Sequence, residues 1–253
     1  MAEMSAILEE RFRTVLEAMR RGGFPINQDV AVTVDENLPF MGYTSRQWQR
    51  HVIVVSGFAV KSSMLEGLLV HELSHVYRNA TNHPSHNEKI IAHSTSSFVK
   101  LHSIDEDYQR QTLHQAVNHI QDLYADDIAI KVLSADQNLQ PIFDMLGDFF
   151  LGWIKEEPVK LGSKRKESWI NAGIFLNNCF AVSNIQRRKV ESSSEKAKFR
   201  NEEFLRKVDP SARSSFSYFN KFMVNLKEDM GENEFGNQLG EYLEQFWALT
   251  EHI

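Results

Sequence analysis

The chain has 253 residues, 42% of them hydrophobic and 25% charged, with a formal net charge of −6. That length supports a full core in one large or two small domains, and the apolar content excludes a disordered protein. A single cysteine, Cys179, excludes an internal disulfide framework and a cysteine-rich zinc finger, and points to a reducing, cytoplasmic compartment.

Taken in chain order, residues 3–20 have helical spacing, with Met4, Ile7, Leu8, Phe12, Val15, Leu16 and Met19 on one face and Gly22-Gly23 as the stop. The start mixes acids into this amphipathic pattern and lacks an apolar h-region, so no signal peptide is expected. Residues 30–34 and 51–55 are short β-branched runs and predict two strands. Helical spacing returns over 62–79, about 87–102 and 105–134, and again in several helices after Pro141, with Pro158, Gly162, Pro210 and Gly231 as breaks. The most apolar stretch, 142–154, contains Asp144 and Asp148 and falls short of the roughly 18 apolar residues of a membrane span, so no membrane association is expected. The expectation is an α+β protein: residues 1–135 form one domain and 141–253 an all-α second domain of unassigned role, with a seam at 135–141.

Charge is unevenly spread. Residues 1–153 carry net −7, residues 154–213 net +6 and residues 214–253 net −5. The basic middle holds 14 basic and 8 acidic residues, and its segment 186–200 reads as a solvated helix or linker. Such a segment attracts phosphate in principle, but its interspersed acids and the acidic whole argue against nucleic acid as a partner. Oligomeric state is not legible.

Ten histidines are present, and eight of them lie between His71 and His119. The informative string is LLVHELSHVY, residues 68–77. His71 and His75, four apart, sit one above the other on a helix and can reach one zinc ion at about 2.0–2.1 Å. Glu72 is placed to act as general base toward a water on that metal. Met64, Leu68, His71 and His75 form one stripe, which predicts that the histidines belong to the helix's buried face. A third ligand is required, and NHIQDLYADDIAIKVL, residues 118–133, offers Asp122, with Asp126 one turn later and His119 one turn earlier. The repulsion between two carboxylates at that spacing calls for a cation or a histidine partner. His119 and His83 remain rival third ligands. His83 and His86, in the loop TNHPSHNEK, are also candidates to line a cleft and stabilise an oxyanion.

HELSH followed by D-L-Y-A-D resembles the gluzincin clan of zinc metallopeptidases, in which a downstream helix reading E-x-x-x-D completes HExxH. The resemblance covers roughly residues 1–135 and implies a helix, a small sheet, an active-site helix and a ligand helix. It implies one zinc ion, Asp122 in the place of the ligand glutamate, and Asp126 in the place of the aspartate that orients a ligand histidine. Aspartate is one methylene shorter than the usual glutamate, so the ligand helix must approach more closely. The alternative pattern H-E-x-x-H-x-x-G-x-x-H fails, because position 78 is Arg and position 81 is Thr. The resemblance also implies a hydrolase acting on peptide or protein substrates, with strand 51–57 as an edge that pairs with substrate backbone. The competing expectation is a non-enzymatic, metal-bearing scaffold or interaction module on the same fold.

Overall fold

The computed structural model describes residues 2–48 and 50–253 and is of mixed α+β class. The chain opens with α1 (Ala2–Arg21), three strands β1 (Val30–Asp35), β2 (Gly42–Gln47) and β3 (Arg50–Ser56), and a single turn α2 (Gly57–Val60). Then come α3 (Leu65–Ala80), a 3-10 turn Pro84–His86, α4 (Glu88–Leu101), α5 (Asp107–Ala135) and α6 (Gln140–Trp153). Four helices complete it: α7 (Lys164–Arg187), α8 (Glu191–Lys207), α9 (Pro210–Val224) and α10 (Glu232–Thr250). Among the described residues no helix is long and apolar enough to cross a membrane.

Two compact units divide the chain, but not at the expected seam. The first comprises Met1–His86 and Tyr124–Met145, the second Asn87–Leu123 and Leu146–Ile253. The linear division 1–135 and 141–253 is therefore corrected. The seam residues form only a tight turn, in which Leu139 N–H donates to the Asp136 carbonyl and Ile142 N–H to that of Leu139, both at 3.0 Å. Residues 87–123 belong with the later helices: α4 packs on α10, and the Tyr242 hydroxyl donates to the Ala116 carbonyl at 3.2 Å. No composition shift marks this division, because it runs through α5, which is one continuous helix.

In the first unit β3 is the central strand, parallel to β1 (Val30↔His51 to Asp35↔Ser56) and antiparallel to β2 (Gly42↔Val55 to Gln47↔Arg50). Strand 51–57 is thus not an edge, and it offers no backbone to a substrate. The edges are β1 and β2; β2, GYTSRQ, carries no apolar alternation and is invisible to period-2 reading. Gly42 lets it lie close: a Cβ there would meet the Val54 carbonyl oxygen at 2.8 Å and Leu68 Cδ2 at 3.1 Å. α3 is held by Leu65, Leu69, Val70, Leu73 and Val76, all buried, in packing that involves α1 and β3. Each such side chain contributes about 1.5–3 kcal/mol on removal from water.

The end of α3 sets the path of the next segment. Asn82 adopts the left-handed conformation, φ 52°, and His83 N–H donates to the Arg78 carbonyl at 2.9 Å while Asn82 N–H donates to that of Asn79 at 3.1 Å. This pattern of paired bonds around a left-handed residue turns the chain back on the helix it has just left. Pro84 then opens the 3-10 turn, and His86 is carried against α3.

The second unit is organised on α7, whose Trp169, Phe175, Leu176 and Phe180 are buried. Phe175 lies 6.1–6.5 Å from Phe204, Phe216 and Phe219, and Phe219 meets Tyr242 edge-on at 5.4 Å. Segment 186–200, expected as a linker or solvated helix, is the end of α7, a turn with Lys189 at φ 56°, and the start of α8. Pro210 and Gly231 stand between helices, as expected, the one as first residue of α9 and the other as N-cap of α10.

Candidate metal centre

One helical turn on α3 brings His71 and His75 together, with Nε2 atoms 3.1 Å apart and rings nearly perpendicular at 83°. Two imidazole lone pairs facing each other at that distance repel, so a proton or a cation must lie between them. Two ligand atoms of a tetrahedral zinc ion bonded at 2.0–2.1 Å stand about 3.3 Å apart, close to the observed spacing. On α5, His71 and His75 find their third companion: His71, His75 and Asp122 each offer one ligand atom, all within 4.8 Å of one another. The nitrogen, nitrogen and carboxylate-oxygen donor set fits zinc.

Both outward nitrogens are held. His71 Nδ1 lies 2.8 Å from Asp126 Oδ1, and Asp126 is buried. The i, i+4 spacing of Asp122 and Asp126 therefore places one carboxylate among the ligand atoms and the other behind the ring of His71. His75 Nδ1 lies 2.7 Å from His86 Nε2. Below the pair, the Arg78 guanidinium donates to the Tyr124 carbonyl through Nε at 3.1 Å and Nη2 at 2.9 Å, which ties α3 to α5.

Glu72 is 5% exposed and adjoins the first histidine in sequence. Its Oε2 accepts from the Thr44 hydroxyl at 2.7 Å, and the same hydroxyl reaches the Glu72 carbonyl at 3.3 Å. A carboxylate fixed at one oxygen by a donor keeps the other for a proton in transit. Thr44 belongs to β2, so no sequence spacing relates it to HELSH.

Three expectations need correction. The stripe Met64, Leu68, His71 and His75 is the half-exposed side of α3, not its buried face, while Glu72 and Leu73 beside it are buried. Side chains on a half-exposed stripe can be reached from solvent. His83 and His86 do not join the metal-capable cluster, and both ring nitrogens of His86 are occupied, by His75 and by Ser85 Oγ at 2.8 Å, so it has no donor to offer an oxyanion. Burial, with His75, His83 and Arg78 nearby, holds the His86 pKa well below its ordinary value and keeps the ring neutral. His119 also stands outside the cluster, stacked on Phe180 at 4.8 Å and 15°. Burial lowers its pKa to about 4, against smaller opposing effects of Asp122 and Asn177.

Four cations of the basic segment 154–213 have partners within the protein. Arg187 donates to the Val224 carbonyl at 2.7 Å, Arg188 to that of Leu123 at 2.9 Å, Arg200 pairs with Glu156 at 3.3 Å and Lys207 with Glu157 at 2.5 Å.

Residues 15–247 match the model of a family of unknown function, DUF5781. No curated protein and no solved structure matches the chain.

Proposed function

We propose that the chain, which belongs to the DUF5781 family, is a zinc-dependent hydrolase, specifically a metallopeptidase acting on peptide or protein substrates. His71, His75 and Asp122 hold one zinc ion in this reading, and Glu72 is the general base. The observation that carries it is the pair of Nε2 atoms facing each other at 3.1 Å while both Nδ1 atoms are engaged elsewhere. Zinc bound there supplies Lewis-acid activation of a water molecule and of a substrate carbonyl.

The chain's own residues do the rest. Asp126 orients His71 and raises its basicity. Glu72, buried and held at Oε2 by Thr44, takes a proton at its other oxygen and passes it to the leaving amine. β2, the edge strand that carries Thr44 beside Glu72, is the one that pairs with an extended substrate in this reading. That role moves here from strand 51–57. A cytoplasmic setting accords with the single thiol, Cys179, which is buried and whose pKa burial raises well above the ordinary value.

The test is zinc content and peptide hydrolysis of the full chain and of Glu72→Gln. Retained zinc with at least a hundredfold loss of turnover, roughly the scale of a general base, is the expected result. Zinc binding with no hydrolysis of any peptide or protein in a diverse panel favours the scaffold reading. Unchanged turnover in Glu72→Gln removes Glu72 from the chemistry.

A further inference from the structure

A metal ligand must present a bare nitrogen, and an imidazole has two nitrogens and, when neutral, one proton. For His71 the choice is settled by a carboxylate, because Asp126 accepts at Nδ1. His75 Nδ1 meets a different kind of partner. It is another imidazole, which can donate or accept with equal ease, so the choice has to be fixed further away.

A chain of contacts fixes it. His75 Nδ1 lies 2.7 Å from His86 Nε2, His86 Nδ1 lies 2.8 Å from Ser85 Oγ, and Ser85 Oγ lies 2.8 Å from His83 Nδ1. At the far end the Ser85 backbone N–H donates to His83 Nδ1 at 3.3 Å. A backbone amide can only donate, so His83 Nδ1 is the acceptor there. The Ser85 hydroxyl has one proton, and it too points to His83 Nδ1. Its oxygen must then accept from His86 Nδ1–H. That leaves His86 Nε2 bare, and it accepts from His75 Nδ1–H. The proton of His75 is thereby held on Nδ1, and its Nε2 lone pair is left facing His71.

We propose that His86 is a positioning residue which, ordered by Ser85 and His83, locks His75 in the tautomer that binds metal through Nε2. The inference rests on the zinc reading of the site. It gives the segment after the active-site helix a role that the HExxH pattern does not contain: the left-handed Asn82 and the Pro84–His86 turn exist in part to bring the lock to the ligand. The two histidines are oriented by different means, a carboxylate for His71 and a neutral relay for His75. A relay adds no negative charge beside the metal.

The experiment uses the full chain. Zinc affinity is measured by competition with a chelating dye for the wild type, His86→Leu, His86→Gln and Ser85→Ala, with His71→Ala as control, and circular dichroism checks that each variant is folded. A glutamine carbonyl can accept from His75 Nδ1–H, whereas leucine cannot. His86→Leu is expected to weaken zinc binding about tenfold to a hundredfold, His86→Gln to recover most of the loss, and Ser85→Ala to show a smaller loss. Imidazole nitrogen NMR is expected to find His75 protonated at Nδ1 in both the metal-free and the zinc-loaded protein. His86→Leu with wild-type affinity, His86→Gln no better than His86→Leu, or His75 with Nδ1 unprotonated overturns the proposal. If the wild type takes no zinc, or His71→Ala takes it equally well, the zinc reading fails. The metal-free NMR still decides the lock in that case, and so separates the two failures.

Discussion

Polar side chains stand on helices in both units, and they are treated in opposite ways. On α7 Asn178 donates to the Lys155 carbonyl at 2.8 Å and accepts from the Lys155 N–H at 2.9 Å, and Asn171 does the same with Val159 at 3.0 and 2.8 Å. Each amide closes on one residue's backbone, as a strand neighbour would, and pins residues 155–159 to the helix. On α3 the polar atoms do not close. His71 and His75 are satisfied on their outer sides and turn their inner nitrogens toward each other. A polar group closed on backbone is architecture, whereas two imidazoles that meet nitrogen to nitrogen form a pair suited to hold an ion between them.

That contrast predicts separable effects. Asn178→Ala strands two partly buried backbone groups at about 1–3 kcal/mol each and opens a small void, so a loss on the order of 4 kcal/mol is expected in chemical denaturation, with zinc stoichiometry unchanged. Loss of zinc in that variant would erase the distinction between the two kinds of polar site.

His119 sharpens it from another side. Its pKa of about 4 lies below the unfolded value near 6.5, so the unfolded chain binds more protons between those limits. Its contribution to stability is complete above about pH 6.5 and is lost as pH falls toward 4. His119→Leu removes this dependence. The stability difference between wild type and variant, both metal-free, is expected to change by on the order of 3 kcal/mol between pH 7 and pH 4. A difference independent of pH would mean that His119 titrates normally and is not the neutral, stacked packing residue described here.

Asp126→Asn gives the smallest effect in free energy. The amide can still accept from His71 Nδ1–H but brings no charge, so zinc affinity is expected to drop about tenfold or somewhat more, with little change in fold stability. A variant that keeps wild-type affinity would remove Asp126 from the site.

Much of this is legible in the residues alone. Helical periodicity identifies α1, α3, α4 and α5, β-branched runs identify β1 and β3, and spacing along two helices brings out His71, Glu72, His75, Asp122 and Asp126. The rest depends on contacts that periodicity does not encode. β2 is a half-exposed edge with no apolar alternation, so Thr44 and its hold on Glu72 are invisible. The central position of β3 comes from strand order, which a run of valines does not state. His86 reads as a loop histidine until the left-handed Asn82 folds the loop back under α3. The division into units crosses α5, where no turn residue could announce it.

The claim on which everything turns is that His71, His75 and Asp122 bind one metal ion. Its most direct test is anomalous diffraction at the zinc edge from crystals of the zinc-loaded protein, supported by metal analysis of the same sample. One zinc per chain, about 2.0–2.2 Å from both Nε2 atoms and an Asp122 oxygen, is the predicted result. A zinc ion elsewhere, or an empty site in a sample given stoichiometric zinc, would contradict it.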